Sequence, residues 1–360
     1  VKGANQDPAN TQTSDETLRV GFSAEPSSIW MGGTGKSENE MAIINSAIMD
    51  RLVNIDRSTG EVVPMLASSW EWVDDTHCKF TLRDDVTMSD GTPLVADDVV
   101  YSVNTWMETS ANSDTGRFLA GAVADDEHTV TIEFNTVAPE LVNMLSWGNF
   151  GIVSEDEVNA LGGIEAAAKN PQMGCGRYKF KEWKNGQSIT LERNDDYYDD
   201  NYTAYYKDIV LTFTSDAAAR AMAVQSGDLN VAFDMPISMA NTYMNDDKVD
   251  VVMDTIGQNV RLFYNMGPKA GATADEKVRR AIDKALDFDA ISAVGTAGTR
   301  EPVLGYFPED SKYYNETFTK EERAVDVEGA KELLEEAGYG DGLDLTIVGM
   351  QDQNPVFTVM

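Results

Sequence analysis

Short runs in which hydrophobic and polar residues alternate recur along the chain. The two-residue period is typical of half-buried strands, and it predicts strands at residues 17–23, 78–82, 128–134, 209–214, 229–233, 259–265 and 343–348. Residues 177–183 and 188–193 flank Asn185-Gly186. This dipeptide between two hydrophobic runs is the strongest short-range indication of a β-hairpin.

Apolar residues spaced three and four apart predict helices between the strands. In residues 40–53, Ile43, Ala47, Ile48 and Leu52 fall on one helical face. Similar spacing predicts helices at residues 96–107, 154–168, 217–225, 275–286 and 326–337. Strands and helices intermix without a strict βαβ rhythm, which indicates a mixed α/β architecture with mixed sheets.

The charge balance narrows the possible partners. The chain of 360 residues has 61 acidic and 28 basic side chains, a net charge of −33, and 42% hydrophobic residues. Such a chain can bury a core, but it repels phosphate backbones, so we expect no nucleic-acid partner. The acidity keeps the surface solvated. The length suggests two domains or one elaborated domain.

Cysteine and histidine are scarce. Cys78 and Cys175 are too few for a disulfide framework or a zinc site. We predict two separate thiols, with a single bridge as the alternative. His77 and His128 leave little room for a histidine-rich metal cluster or a histidine-based triad. We therefore expect no metal and no cofactor.

The first 16 residues are polar and nearly free of apolar side chains, which predicts a disordered linker. A mature lipoprotein, tethered through a lipidated cysteine just upstream, would begin in this way. A shortened chain of any protein would also begin so, and the sequence leaves both open. No run of about 18 apolar residues is present to span a bilayer.

An acidic secreted hydrolase with two catalytic carboxylates is the rival from another class. Asp84-Asp85 and Asp97-Asp98 are better explained as turns and helix starts. No G-x-S-x-G, H-E-x-x-H, Walker A or G-x-G-x-x-G motif occurs. The glycine-rich residues 32–36 (GGTGK) lack the P-loop spacing. We expect that the protein is not an enzyme.

The densest motif lies at residues 65–102, MLASSWEWVDDTHCKFTLRDDVTMSDGTPLVADDVVYS. It resembles a stretch of the family 5 extracellular solute-binding proteins of ABC importers, which bind oligopeptides, dipeptides or nickel. In that family the stretch reads approximately A-x-S-W, then a strand ending in L-R, then G-V-x-F-x-D-G-x-P-x-T-A-x-D-V-x-x-S. Asp85 stands where the family has glycine and Met88 where it has phenylalanine.

Three further blocks follow in the family's order. Residues 174–178 (GCGRY) are similar to the family's G-T-G-P-Y, and residues 219–232 (ARAMAVQSGDLNVA) are similar to a helix followed by S-G-x-x-D-x-A. Residues 277–291 and 330–338 complete the set. Each block taken alone indicates the fold and not a chemical activity. The function is therefore inferred only from the resemblance to the family.

The resemblance implies a periplasmic-binding-protein-like fold of the class II, or cluster C, type. It would have two α/β lobes with mixed sheets, closing on ligand like a hinge, and an extra subdomain in the first lobe. The second lobe would be incomplete, because family members run well beyond 360 residues. The implied ranges are 1–16 for the linker, 17–54 with 166–258 for the first-lobe core, 55–165 for the inserted subdomain, and 259–360 for the start of the second lobe.

The resemblance also implies three segments facing the ligand between the lobes. Peptide capture needs hydrogen-bonding groups for backbone atoms and aromatic walls for side chains. The three segments provide the candidate contacts Trp30, Asn39, Glu40 and Met41, then Trp147, Gly148, Asn149 and Phe150, and finally Gln351, Asp352, Gln353 and Asn354. Each of these residues could equally be a loop residue without ligand contact.

The implied function is capture of oligopeptides, or a related small solute, for delivery to an ABC permease in the membrane. The protein would be a monomeric lipoprotein at the cell surface, or periplasmic. Dipeptide-type members tend to carry an arginine near Gln353, but the run here is QDQNP, which weakly favours longer peptides or a non-peptide solute. A nickel binder of the same family and a ligand-loaded sensor remain alternatives.

Overall fold

The computed structural model describes residues 13–30, 39–56, 58–109, 118–137, 139–252, 261–296, 298, 301–307, 314–315, 317, 319 and 323–348. The chain divides into two compact units, Val1–Asp234 and Met235–Met360. Across the described residues, none of the helices combines the length and the apolar character that crossing a bilayer demands. The predicted 1–16 linker falls mostly outside the described residues, and the predicted domain ranges stay predictions.

The first unit contains a five-stranded mixed sheet. Its strands are β1 (Thr17–Phe22), β8 (Tyr178–Lys184), β9 (Ser188–Arg193), β10 (Asp208–Phe213) and β11 (Val231–Ala232). The order is β11-β1-β10-β9-β8. β1 runs parallel to both β10 and β11, whereas β9 pairs antiparallel with β8 and β10. The predicted β8–β9 hairpin at Asn185-Gly186 is confirmed, and Gly186 takes the left-handed conformation with φ 71°.

A second sheet in the first unit is wholly antiparallel. It contains β4 (Ala67–Trp72), β5 (His77–Leu82), β6 (Leu119–Asp126) and β7 (Thr129–Phe134), in the order β4-β5-β7-β6. A separate hairpin joins β2 (Val53–Ile55) to β3 (Val62–Pro64). The alternating patterns of β5 and β7 predicted both strands, and their inward side chains Cys78, Phe80, Val130 and Ile132 are fully buried.

Helices cover these sheets in the first unit. They are α1 (Asn39–Ile48), α2 (Ala96–Thr109), α3 (Leu141–Met144), α4 (Glu155–Ala160), α5 (Ile164–Ala167) and α6 (Ala217–Ser226). The next helix, α7 (Ala240–Tyr243), belongs to the second unit. The prediction of one continuous helix over residues 154–168 is wrong. Gly162 and Gly163 have φ values of 98° and 94°, which right-handed helical backbone does not allow, so the segment breaks into α4 and α5.

Two separate hydrophobic cores stabilise the first unit. One lies on the antiparallel sheet and is formed by residues between Leu52 and Ile152, with Cys175 added from later in the chain. The other lies on the mixed sheet and includes Phe22, Trp30 and Leu211. Cys78 and Cys175 are free and buried, as predicted. Burial raises the pKa of the Cys78 thiol to about 12, which leaves it unreactive at neutral pH.

The second unit is described mainly by α8 (Glu276–Ala285), α9 (Phe288–Gly295) and α10 (Val327–Glu336). Lys284 Nζ lies 2.6 Å from Asp326 Oδ2. The predicted strand at residues 343–348 is wrong, and no strand is present at 261–265, the described part of the predicted strand 259–265. Alternating hydrophobic and polar residues indicate a segment with one buried face, but a strand also requires a neighbouring strand to hydrogen-bond with. Neither segment pairs with a strand among the described residues.

Candidate functional site

Two of the three predicted ligand segments lie against each other, although about a hundred residues separate them along the chain. The 3-10 helix Gly148–Phe150 packs on α1 at Ala42 and Ser46. A Cβ atom on Gly148 would lie 2.3 Å from the Ala42 carbonyl oxygen and 2.4 Å from Ser46 Oγ. Only glycine permits this approach, so the two segments are in direct backbone contact.

Three more glycines pack on the last turn of α1. A Cβ on Gly151 would lie 2.6 Å from Met49 Cβ, and one on Gly176 would lie 2.5 Å from the Ala47 carbonyl oxygen. Gly174 approaches the Ile48 carbonyl oxygen in the same way. We call Gly148, Gly151, Gly174 and Gly176 the glycine seat. It fixes α1 against backbone from two later segments, so the position of the helix is set without intervening side chains.

The Trp147 turn presents one exposed aromatic side chain beside a buried one. Trp147 is 54% exposed, whereas Phe150 is 1% exposed. The Phe150 ring meets Trp106 edge to face, with centroids 5.0 Å apart. Asn149, which lies between these two residues in the sequence, is half-buried. The turn therefore has an anchor, Phe150, and an accessible aromatic surface, Trp147, which matches the requirement for a ligand-facing wall.

The earlier segment is more deeply buried. Trp30 is fully buried in the core of the mixed sheet, and Met41 is fully buried on α1, where Ser28 Oγ lies 3.8 Å from its sulfur. Asn39 and Glu40 form the first turn of α1. Trp30 Nε1 and both side-chain polar atoms of the buried Asn45 have no hydrogen-bond partner among the described residues. Buried polar atoms without hydrogen bonds destabilise a core. These three atoms lie in or beside the predicted site.

The third predicted segment, Gln351, Asp352, Gln353 and Asn354, lies outside the described residues. The second unit is described by itself, so these four contacts stay predictions. The contacts predicted on the first unit, Trp30, Asn39, Glu40, Met41, Trp147, Gly148, Asn149 and Phe150, also stay predictions, although all of them lie in or beside the glycine-seated α1 and the turn that packs on it.

A buried polar cluster at the end of α1 was not predicted from the sequence. Asp50 is 1% exposed, and its Oδ2 accepts hydrogen bonds from the hydroxyls of Tyr197, at 2.7 Å, and Tyr198, at 2.6 Å. Burial raises the pKa of Asp50, and the two hydroxyl bonds oppose that rise. The available indications were an Asp-Arg pair closing an apolar helix and a Tyr-Tyr pair 147 residues later, neither of which identifies its partner.

Arg51, the next residue, is also buried. Its Nη2 lies 3.5 Å from Asn54 Oδ1 and 3.5 Å from Met65 Sδ, while Nε and Nη1 have no hydrogen-bond partner among the described residues. Burial lowers the pKa of Arg51, and the Asp50 carboxylate opposes this effect. Asp50 therefore joins the end of α1 to the segment following β9, and the opposite charge of the adjacent Arg51 is buried beside it.

No metal centre is formed by the described residues, since none of them group three or more His, Cys, Asp or Glu side chains in a suitable arrangement. His77 Nδ1 lies 2.9 Å from Asp74 Oδ1 at the start of β5. The hydrogen bond to Asp74 raises the pKa of this imidazole. His77 is thus engaged in a surface turn, away from α1 and the Trp147 turn in sequence and in sheet.

The fold defines a class of protein, namely mixed α/β proteins of binding-protein architecture, in this case with a glycine-seated helix beside an exposed tryptophan. Comparison with known proteins identifies the family within this class. The family model "Bacterial extracellular solute-binding proteins, family 5 Middle" matches residues 61–360. The chain belongs to this family.

The curated relatives include bacterial binding proteins. The periplasmic murein peptide-binding protein MppA of Escherichia coli is 28% identical over 85% of this chain and 61% of its own length. The periplasmic oligopeptide-binding protein OppA of Salmonella typhimurium is 26% identical over 80% of this chain and 56% of its own length. The chain therefore spans about three fifths of the curated relatives that it matches.

Solved structures share the fold. The periplasmic binding protein DppA from Helicobacter pylori, in complex with the peptide STSA, gives a TM-score of 0.73 at 22% identity and covers 91% of this chain and 67% of its own. NikA from Brucella suis, in complex with Fe(III)-EDTA, gives a TM-score of 0.71 at 23% identity and covers 90% of this chain and 65% of its own. The predicted periplasmic-binding-protein-like fold is confirmed.

Proposed function

We propose that this protein captures oligopeptides for an ABC importer and releases them unchanged to a membrane permease. The observation that supports it most directly is the family match over residues 61–360. The curated relatives include a murein peptide-binding protein and oligopeptide-binding proteins. Because solute binding is the shared property of these relatives, we propose binding without catalysis.

The geometry of the first unit supports a peptide site at the Trp147 turn. An exposed indole offers a flat apolar surface with a hydrogen-bond donor, and the half-buried Asn149 beside it offers both donor and acceptor groups. Asn39 and Glu40 begin the helix on which that turn packs. Aromatic walls with a few fixed polar groups are what extended peptides require.

Localisation and partner follow from the same proposal. We propose that the protein acts outside the cytoplasmic membrane, as a lipid-anchored or periplasmic component, and docks with a permease as a monomer. A ligand-loaded sensor would bind peptide equally well but dock a receptor. Reconstituted vesicles holding the candidate permease separate the two, because only an importer transfers labelled peptide into the vesicle lumen.

A pooled peptide library tests the binding step. Purified protein is melted alone and with peptides of two to eight residues, and bound peptides are recovered and sequenced by mass spectrometry. We expect a saturable rise in melting temperature and recovery of intact peptides. A rise with nickel or metal chelates alone would favour a non-peptide solute of the same family. Recovery of cleaved peptides would favour the hydrolase and contradict the proposal.

A further inference from the structure

A cavity of about 410 Å³ opens in the first unit, away from the Trp147 turn. It lies where the β2–β3 hairpin and Arg83 approach Arg177 and the segment that follows β9. Its volume is in the range of small-molecule sites in proteins. None of the residues predicted to contact the transported solute lines it. The lining residues that the argument uses are Asp56, Arg83, Arg177, Tyr197, Tyr198 and Tyr202.

Arg177 is the centre of this cavity's chemistry. Its guanidinium carbon lies 5.1 Å from the ring centroid of Tyr202 and 5.8 Å from that of Tyr197. The side chain is half-buried, and among the described residues its contacts are with these two tyrosine rings and not with a hydrogen-bond acceptor. The faces of the tyrosine rings partly stabilise the positive charge. They do not accept conventional hydrogen bonds from the five N–H donors of the guanidinium, so these donors remain available to a ligand.

Other charged groups on the cavity wall already have partners. Arg83 donates from Nε and Nη2 to the two carboxylate oxygens of Asp85, at 2.8 and 2.6 Å. Asp56 Oδ1 accepts from the backbone N–H and the hydroxyl of Ser58, at 2.8 and 2.6 Å. Arg177 therefore differs from its neighbours, because it has aromatic contacts and no hydrogen bond or ion pair with a carboxylate among the described residues, although its charge acts on the nearby buried Asp50.

A second guanidinium behind the wall also lacks acceptors. Arg51 is 6% exposed, and its Nη2 faces Asn54 Oδ1 and Met65 Sδ, both on residues that line the cavity. Its Nε and Nη1 have no partner among the described residues. Asp50 Oδ1, next to Arg51, is a buried acceptor without a partner among the described residues, and the unfilled N–H groups of the two arginines outnumber this acceptor.

We propose that the cavity is an accessory binding site for a small carboxylate-bearing molecule, held by Arg177 and covered by the tyrosine rings. Planar carboxylate matches the guanidinium fork with two parallel hydrogen bonds. The charged lining residues are Arg83, Arg177, Asp56 and Asp199, so the wall is neutral without ligand. The single charge of a monoanion is matched by the unpaired charge of Arg177. The second charge of a dianion such as phosphate increases the repulsion from the Asp56 and Asp199 carboxylates.

Benzoate, acetate, benzamide and inorganic phosphate are suitable probes. Protein labelled with 15N-arginine reports each Nε–Hε pair by NMR, and loss of one signal in Arg177→Gln assigns that residue. We expect benzoate to shift the Arg177 signal saturably and more tightly than acetate, because its ring also meets the tyrosines. Benzamide, the uncharged isostere, should give no saturable shift.

Matched variants separate recognition from folding. Calorimetry with benzoate should show affinity lowered at least about tenfold by Arg177→Gln, the loss expected for charge-assisted hydrogen bonds. Tyr202→Ala removes a half-exposed ring and should also weaken binding. Arg19→Gln, at an exposed arginine of β1, should leave it unchanged.

Three outcomes overturn the proposal. They are no saturable shift of the Arg177 signal with any carboxylate, equal shifts with benzamide, and a shift with phosphate in place of benzoate. The transported solute does not enter this experiment, so failure here leaves the proposed transport function untouched.

Discussion

Gly148 lies against Ala42 so closely that no side chain fits between the two backbones. A Cβ on Gly148 would be 2.3 Å from the Ala42 carbonyl oxygen, well inside van der Waals contact. The contact joins the Trp147 turn to α1, and the other glycines of the seat hold the far end of the same helix. The two predicted ligand segments on the first unit are therefore joined by direct backbone packing.

The first prediction concerns this contact. Gly148→Ala should destabilise the protein by about 1–3 kcal/mol, the usual cost of overpacking, and should weaken peptide binding because the Trp147 turn must move. Urea unfolding and calorimetry measure the two effects. Gly340→Ala is the control, since the nearest atom to its Cβ would be Cγ of the flexible Glu335 side chain, at 3.1 Å, and the nearest backbone atom, Glu335 Cα, lies at an ordinary 3.7 Å. Unchanged stability in Gly148→Ala would contradict the close packing.

The second prediction separates the two aromatic residues of the turn. Trp147→Ala should change the free energy of unfolding by less than about 0.5 kcal/mol, because the side chain is half exposed, yet should weaken peptide binding. Phe150→Ala should destabilise by about 3–5 kcal/mol, because it empties a core position against Trp106. Parallel denaturation and peptide titration measure both. Equal peptide affinity in Trp147→Ala and the unchanged protein would remove Trp147 from the site.

The third prediction concerns pH. Glu157 is 3% exposed at the start of α4, where it accepts hydrogen bonds from Ser89 Oγ, at 2.6 Å, and from the backbone N–H of Gly174, at 3.2 Å. Burial raises its pKa above the ordinary 4.5. Its contribution to stability is therefore complete below pH 4.5 and is lost as the pH rises through the folded-state pKa.

Glu157→Gln should flatten that loss. Urea unfolding from pH 4 to pH 8 should show a smaller decline in stability for the variant than for the unchanged protein. Some decline should remain, because burial also raises the pKa of Asp50 and of Asp98. The control is Glu155→Gln, at an exposed position in the same helical turn. Identical pH profiles for Glu157→Gln and the control would contradict the account of the buried carboxylate.

The fourth prediction concerns the end of the first unit. Arg220 is 2% exposed, and it donates to the carbonyl oxygens of Thr214 and of Asp234, the latter at 2.7 Å. Asp234 has a φ of 55°, and its carboxylate accepts from Ser23 Oγ at 2.9 Å. The arginine thus holds a left-handed backbone position at the last residue of the unit.

Arg220→Met should destabilise the protein by about 2–3 kcal/mol, because two buried carbonyls lose charge-assisted bonds. Denaturant unfolding measures the change. Arg280→Met, which removes only an exposed ion pair with Glu276, should stay within about 0.5 kcal/mol. Comparable values for the two variants would show that the Arg220 bonds contribute little.

Local pattern was sufficient for elements whose partners are near in sequence or whose period is clear. The β8–β9 hairpin, α1, α2, α6, α8 and α10 were all predicted from turn residues or helical spacing. β6 was not, because its residues (LAGAVADD) have low strand propensity and pair only through β7. The alternation at residues 343–348 predicted a strand that lacks a partner among the described residues, so pairing overrode pattern.

The contacts around the predicted site could be foreseen only in part, for a similar reason. The resemblance to a family predicted ligand segments at Trp147 and at the start of α1, but the glycine seat and the Asp50–Tyr198 hydrogen bond join residues distant in sequence. A glycine in a sequence indicates that the backbone can adopt unusual conformations, but it does not identify the atom that the backbone approaches. Long-range contacts of this kind become visible only with the fold.

Mass spectrometry of the small molecules released from the purified, acid-treated protein tests the central claim most directly, with Trp147→Ala prepared in parallel. The account predicts intact oligopeptides with the unchanged protein, in amounts approaching one per chain, and markedly fewer with the variant. Release of a metal chelate or another non-peptide solute, or the same peptides in the same amounts from both proteins, would contradict it.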